Sequence, residues 1–200
     1  MTNAIIFNAG LGDRNARINV YIANRPNYQD FATISGLKEL SDGDIEALNR
    51  HCGNGWRKVF NVYAKLLFAW RSADPKLAKE LPGAKCLNWQ TYRDNFLLQA
   101  GSQTSLLFSP PIFRNQFDSP DECRLGANNT YNIIMGRTYA KSLLLSTAPK
   151  NATAASINLV WLDEEFAYDT VQRVVVCPYF DYRQLSNAKI IRLVEILISL

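Results

Sequence analysis

The sequence lacks the residue combinations on which metal sites and disulfide scaffolds depend. It has one histidine, His51, and four cysteines, none of which forms a C-x-x-C pair. Zinc fingers need such closely spaced pairs to surround one ion, and a site built on several imidazoles needs more than one histidine. We therefore predict no metal site, no cofactor, and free thiols rather than disulfides.

Long apolar runs and a secretory leader are also missing from the sequence. No stretch approaches the roughly 20 apolar residues that span a bilayer, and the first residues show no basic segment followed by a long apolar run. We expect a cytoplasmic protein with no membrane partner. Charged residues make up 20% and apolar residues 48% of the 200 residues, which argues against disordered and fibrous classes and suits a single α/β domain over residues 1–200. The net charge of +4 permits an anionic partner without requiring one.

Short runs of branched apolar residues predict strands that are buried on both faces, as in a parallel sheet. Four such runs occupy residues 18–23, 104–108, 131–135 and 171–177, and helical periodicity lies between and after them. This order predicts an α/β three-layer sandwich around a mainly parallel, four-stranded core sheet. Residues 4–7 and 157–162 are further candidates for edge strands or hairpin partners.

Each loop that follows one of the four predicted strands carries an arginine and an aromatic residue. Open parallel sheets bind ligands beyond the carboxyl ends of their strands, arginine offers forked donors to phosphate or carboxylate, and aromatic faces stack on bases. The predicted ligand-binding residues are Arg25, Tyr28, Ser109, Arg114, Gly136, Arg137, Tyr179 and Arg183, with Tyr139 and Tyr182 nearby. A nucleic acid or a nucleotide is the ligand that this pattern indicates. The alternative is a protein-interaction or structural module whose loop arginines face water.

Taken in order, these strand ends resemble those of the uracil-DNA glycosylase superfamily over roughly residues 18–200. "YIANRPNY" (21–28) stands where that family has Gly-Gln-Asp-Pro-Tyr, and "TSLLFSPPIF" (104–113) where it has Leu-Leu-Leu-Asn. "NIIMGRTYAKSL" (132–143) is similar to its third strand and the helix after it. "VVVCPYFDYRQLSNAKII" (174–191) is similar to the His-Pro-Ser-Pro loop and the capped helix that ends the family pattern. The resemblance implies a glycosylase-like α/β fold and a nucleic-acid ligand.

The catalytic positions that the resemblance carries over hold different residues in this chain. Asn24 and Arg25 stand nearest to the water-activating Asp, Ser109 replaces the base-reading Asn, and Cys177 replaces the catalytic His. An arginine cannot act as a base, and a thiol is a weak hydrogen-bond donor. We therefore predict a glycosylase-like domain that does not excise uracil.

Four residues remain as candidates for a different chemistry. Asp30 and Asp181 could serve as bases, Asn24 could position a water, and Cys177 could act as a nucleophile if its pKa were lowered by Arg183 or by the following helix. A hydrolase acting on a nucleobase derivative through Asp30 or Asp181 is thus a second alternative. Inert packing is the competing interpretation of Cys177.

The last helix, which Ser186 or Asn187 caps in this interpretation, has apolar residues on more than one face. Burial between the sheet and neighbouring helices would explain this pattern. A homodimer through the C-terminal helix is the alternative interpretation.

Overall fold

The computed structural model describes residues 9–111, 130–146 and 157–200. In these ranges one sheet of eight strands packs with six α-helices. The strands are β1 (Gly10–Gly12), β2 (Ile18–Tyr21), β3 (Leu37–Lys38), β4 (Thr104–Leu107), β5 (Tyr131–Met135), β6 (Val160–Trp161), β7 (Ala167–Asp169) and β8 (Val174–Cys177). The helices are α1 (Asp44–His51), α2 (Asn54–Ala73), α3 (Pro75–Glu80), α4 (Trp89–Asn95), α5 (Arg137–Ser146) and α6 (Asn187–Ile198). None of these helices has both the length and the apolar character required to cross a membrane.

The strand order in the sheet is β3-β1-β4-β2-β5-β8-β7-β6. The four neighbours β4, β2, β5 and β8 run parallel to one another, whereas β1 pairs antiparallel with β4 and β7 pairs antiparallel with β8. The general α/β class is therefore confirmed. The sheet is mixed and has eight strands, which corrects both the predicted four-stranded, mainly parallel core and the predicted glycosylase-like fold. The added strands are two or three residues long, which is too short for a recognisable alternation of apolar and polar residues.

Two segments named as further strand candidates have different outcomes. Residues 157–162 contribute β6, which forms a hairpin with β7 as predicted. The candidate strand at residues 4–7 lies outside the described residues.

Alternating side chains of the central strands enter two hydrophobic clusters on opposite faces of the sheet. Val20 and Ile133 pack in the larger cluster with residues of α1, α2, α3, α4 and α6. Tyr21 and Ile134 pack in the smaller cluster with α5. Because successive residues of a strand point to opposite faces, this division follows from the strand geometry.

Helix α2 crosses the larger face in the direction opposite to the four parallel strands. Its first turn contacts residues that follow β4 and β8, through Trp56 with Phe108 and Lys58 with Asp181. Its last turn contacts the beginning of β5, where the ring of Trp70 lies edge-on against a tyrosine at 4.7 Å. The N-terminus of α2 therefore lies at the carboxyl edge of the parallel strands.

The end of α4 and the beginning of α6 can be compared with the boundaries that the sequence predicts. The pattern of residues 88–101 predicts a helix that stops at Gly101, but α4 ends at Asn95. Beyond it, Leu98 adopts a left-handed φ of 61° and its backbone N–H bonds to the hydroxyl of Thr104, which is incompatible with a continued helix. At α6, Ser186 is the N-cap, and its hydroxyl accepts the backbone N–H of Lys189.

Candidate functional site

The carboxyl ends of β4, β2, β5 and β8 meet at one edge of the sheet because these strands are parallel and adjacent. Side chains after three of these strands contact each other or the start of α2. We call the group the strand-end cluster; it consists of Asn24, Arg25, Lys58, Phe108, Tyr179 and Asp181. Since ligand sites of open parallel sheets lie at this edge, the cluster is the candidate site.

Asn24 and Tyr179 make a side-chain contact between the segments that follow β2 and β8. The Asn24 amide donates a hydrogen bond to the phenol oxygen, which partly offsets the rise in the pKa of Tyr179 that burial causes. Strand β5 lies between β2 and β8, so this contact passes beyond the end of β5. Both residues were predicted from the sequence as members of one site, and the structure brings them together.

Asp181 holds the loop after β8 against the start of α2. One carboxylate oxygen accepts the Lys58 ammonium at 2.7 Å, and the other accepts the backbone N–H of Arg183 at 3.0 Å. The Lys58 hydrogen bond is the main reason why the pKa of Asp181 lies below its usual range. A carboxylate with a lowered pKa is a weaker base, so Asp181 is better suited to anchoring the loop than to abstracting a proton.

The Asp181–Lys58 contact predicts a stability that depends on pH in the acid range. Because the pKa of Asp181 is lower in the folded chain, its contribution is present above the ordinary carboxyl pKa and is lost as the pH falls towards the folded value. We expect Asp181→Asn to lower the free energy of unfolding by about 1 kcal/mol at neutral pH and by less in acid. Urea unfolding at neutral and acid pH measures this difference. If Asp181→Asn lowered the free energy of unfolding equally at neutral and acid pH, the negative charge of Asp181 would not be the source of the stability.

Arg25 lies beside aromatic rings that join the end of β4 to α2. Its guanidinium donates to the Ile34 carbonyl at 3.0 Å and lies 5.8 Å from the ring centroid of Phe108. The same Phe108 ring packs edge-on against Trp56 of α2. Arg25 is exposed, so its remaining donors can reach a ligand from solvent.

The beginning of α2 has the features of an anion-binding helix terminus. The N-cap residue, Gly53, supplies no side-chain hydrogen bond, and no acidic residue lies in the first turn. A Cβ atom built at Gly53 or Gly55 would meet nothing within 4 Å, so the backbone is open to solvent there. The first N–H groups of a helix have no partner within the helix, and they attract anions together with the helix dipole. The exposed Arg57 adds a positive charge next to these groups, whereas the charge of Lys58 is paired with Asp181.

The exposed ring of Tyr182 stands next to this helix start. It is 54% exposed, and the Lys58 ammonium lies 5.0 Å from its centroid. Tyr182 therefore presents an aromatic face to solvent close to the cluster.

Other predicted residues have partners that do not belong to the cluster. Arg137 pairs with Glu164 at 3.5 Å and lies 5.7 Å from the ring of Trp161. Tyr28 stacks on His51, with ring centroids 4.3 Å apart. Convergence of the four arginines on one cleft stays a prediction.

The other predicted site residues also lie outside the strand-end cluster. Gly136 directly precedes α5, has a φ of 91° and donates its N–H to the Cys177 carbonyl. Asp30 is exposed in a 3₁₀ turn, and Ser109 is partly buried directly after Phe108. Arg114 lies outside the described residues.

Cys177 is completely buried within the core, and burial raises the pKa of its thiol. A nucleophilic cysteine needs the opposite shift and access to substrate. The geometry therefore favours inert packing over nucleophilic catalysis for Cys177.

The family comparison covers almost the whole chain. Residues 9–198 match the model of a family of unknown function, DUF6942. The chain belongs to the DUF6942 family. No curated protein and no solved structure matches it. Membership of this family assigns no activity, and the resemblance to uracil-DNA glycosylases stays a prediction.

Sequence reasoning about this DUF6942 protein missed the contribution of α2 to the site. The missed residues are Gly53, Gly55, Trp56, Arg57 and Lys58. The signal was present in "GNGWRK" (53–58), where two glycines precede a basic pair at the start of a helix. The predicted site drew only on the loops after the strands, whereas α2 reaches the same edge from the opposite direction.

Metal binding has no support in the part of the chain that the structure describes. There, no three His, Cys, Asp or Glu side chains come together as potential metal ligands. The donors of the strand-end cluster, which include an arginine, a lysine and an amide, are instead suited to an anion.

Proposed function

We propose that this DUF6942 protein binds a phosphate-bearing ligand with an aromatic ring, a nucleic acid or a nucleotide, at the strand-end cluster and the beginning of α2. The start of α2 is the observation that carries this proposal. There, uncapped N–H groups, two glycines open to solvent and the exposed Arg57 lie where β4 and β8 end.

The exposed aromatic ring favours a ligand with a base over inorganic phosphate alone. Tyr182 presents a solvent-exposed face beside Lys58, and base–aromatic stacking contributes about 1–3 kcal/mol per base in single-stranded complexes. A phosphate at the start of α2 and a base on Tyr182 would engage the two halves of one nucleotide.

The hydrolase alternative has less physical support. Asp181 is tied to Lys58 and its pKa is lowered, which weakens it as a base. Asp30 is exposed to solvent, and no contact joins it to the strand-end cluster in the described residues.

Binding to a labelled single-stranded oligonucleotide, followed by fluorescence anisotropy, tests the proposal. We expect Arg57→Ala or Arg183→Ala to weaken binding about tenfold, since one charge-assisted hydrogen bond contributes about 1.5 kcal/mol. The slope of log K against log salt should fall by about 0.7 for each phosphate contact removed. Arg14→Ala is the matched control, because Arg14 is exposed in the loop before β2, at the opposite edge of the sheet. No binding at low salt, or equal losses for all three variants, would reject the proposal.

Gly55→Asp separates ligand binding from stability. A carboxylate at this position complements the helix dipole, so the free energy of unfolding should rise by about 0.3–1 kcal/mol. The same negative charge should repel a phosphate, and oligonucleotide binding should be lost. Gly55→Asn is the control, because it has the same size without the charge. Unchanged binding by Gly55→Asp would show that the ligand does not approach α2.

A further inference from the structure

A pocket of about 350 Å³ lies between α5 and the turn that joins β6 to β7. It is lined by Arg137 and Lys141 of α5, Trp161 of β6, and Asp163 and Glu164 of the turn. None of these residues belongs to the strand-end cluster, and the proposed function does not use them. The volume falls within the range of about 300–1,000 Å³ that small-molecule sites occupy in proteins.

Two side chains of the pocket are fixed by contacts outside it. Trp161 is partly buried and packs against the smaller hydrophobic cluster, on the α5 side of the sheet. One carboxylate oxygen of Asp163 accepts the backbone N–H groups of Glu165 and Phe166 at 2.7 and 2.9 Å. The other oxygen pairs with the Arg192 guanidinium at 2.6 Å. The aromatic wall and the turn are therefore positioned before a ligand arrives, which lowers the entropic cost of binding.

Three other charged groups of the pocket are available to a ligand. Arg137 and Lys141 are four residues apart on α5, so they share one side of the helix, and each cation lies 5.7 Å from the centroid of the Trp161 ring. Lys141 makes no ion pair and no hydrogen bond with any residue that the structure describes. The Glu164 side chain is 89% exposed and lies 3.5 Å from Arg137. Such a surface pair contributes little to stability, so a ligand can displace it.

We propose that this pocket binds a planar ring that carries an anionic group, a phosphate or a carboxylate. The ring stacks on Trp161, and the anionic group lies between Lys141 and Arg137, whose donors suit the oxygens of either group. Two cations against one available carboxylate give these groups a net positive charge, which selects an anion over a cation. Glu164 accepts an N–H or O–H group of the same ligand.

The indole N–H resonances of the isotope-labelled protein report on this pocket. The chain has four tryptophans, and Trp161→Phe assigns the signal of Trp161. We expect phenyl phosphate or benzoate to shift this signal in a saturable manner, and the stronger of the two identifies the anionic group that the pocket prefers. Inorganic phosphate lacks the ring and benzylamine carries the opposite charge, so both should shift the signal much less. A Trp161 signal that neither ring-bearing anion moves, or that benzylamine moves equally, would overturn the proposal.

Two substitutions of Lys141 test the role of its charge. Lys141→Ala should weaken binding of the preferred anion about tenfold, as expected for the loss of one charge-assisted hydrogen bond. Lys141→Glu should abolish that binding and favour benzylamine instead. Lys79→Ala is the matched control, because Lys79 is exposed on α3 and is not part of the pocket, and it should leave the affinity unchanged. Equal affinities of the Lys141→Ala and Lys79→Ala variants, with circular dichroism showing both folded, would also overturn the proposal.

Discussion

Replacing Arg71 by alanine is expected to lower the free energy of unfolding by about 3 kcal/mol. Arg71 is a buried charge near the end of α2, with 9% of its surface exposed. Its guanidinium donates to the carbonyls of Pro82, Gly83 and Cys86. Truncation removes the donor from three partly buried carbonyls, and a polar group left unsatisfied costs about 1–3 kcal/mol where it is buried.

Two aromatic rings add to the expected cost of this substitution. The guanidinium carbon lies 5.0 Å from the ring centroid of Phe68 and 5.4 Å from that of Tyr92, so removing Arg71 also removes packing between α2 and α4. Total stabilities of single domains are about 5–15 kcal/mol, and a loss of this size would be visible in any unfolding curve.

Urea denaturation followed by circular dichroism measures the effect of Arg71→Ala. Arg71→Lys keeps the charge without the forked donors and should lie between the wild type and the alanine variant. Arg50→Ala is the surface control, since Arg50 is 70% exposed in an i,i+4 pair with Glu46, and it should cost less than about 0.5 kcal/mol. A similar loss for Arg50→Ala and Arg71→Ala would show that the buried hydrogen bonds contribute nothing measurable.

Uracil excision from DNA is expected to be absent or slower than a glycosylase rate by orders of magnitude. Such enzymes read, polarise and attack a flipped base, and the loss of one polarising donor commonly costs about 10²–10³ in rate. Cys177, which the resemblance places at the catalytic histidine, is completely buried. Asn24, which the resemblance places nearest to the water-activating carboxylate, uses its amide on Tyr179. Ser109 offers donor and acceptor on a single oxygen, whereas an amide presents its donor and its acceptor on two separate atoms that can pair with a base edge.

A uracil-containing oligonucleotide assay checks this expectation. The wild type, Asn24→Ala and Cys177→Ala should all show the same background rate, with circular dichroism confirming that each variant is folded. Efficient excision by the wild type that either substitution abolishes would show that the site performs glycosylase chemistry. Oligonucleotide binding without excision would agree with the proposed binding function.

Several elements were predictable from local sequence alone. The strand over 131–135 has the predicted bounds, and the runs 18–23 and 104–108 contain β2 and β4. These strands are central and buried on both faces, so each is an unbroken run of mostly apolar residues that needs no knowledge of its neighbours. The cap at Ser186 is local for a similar reason, since the hydroxyl and its N–H partner are three residues apart.

The candidate site was predictable only in part. The loops after the four predicted strands meet at one edge of the sheet, because parallel strands end at one edge whatever their order. Which side chains meet there was not predictable. Lys58 contacts Asp181 across 123 residues of sequence, and nothing in either local sequence specifies this contact.

The sequence by itself thus determined the α/β class, the central strands and the edge at which their loops meet. The tertiary structure alone decided the eight-stranded mixed sheet, the approach of α2 to that edge, and the pairing of Arg137 with Glu164. Periodicity and capping are properties of neighbouring residues, and a single sequence contains them. Strand order, helix direction and ion pairing depend on how distant elements pack. Many tertiary arrangements are compatible with the same local patterns, and packing selects one of them.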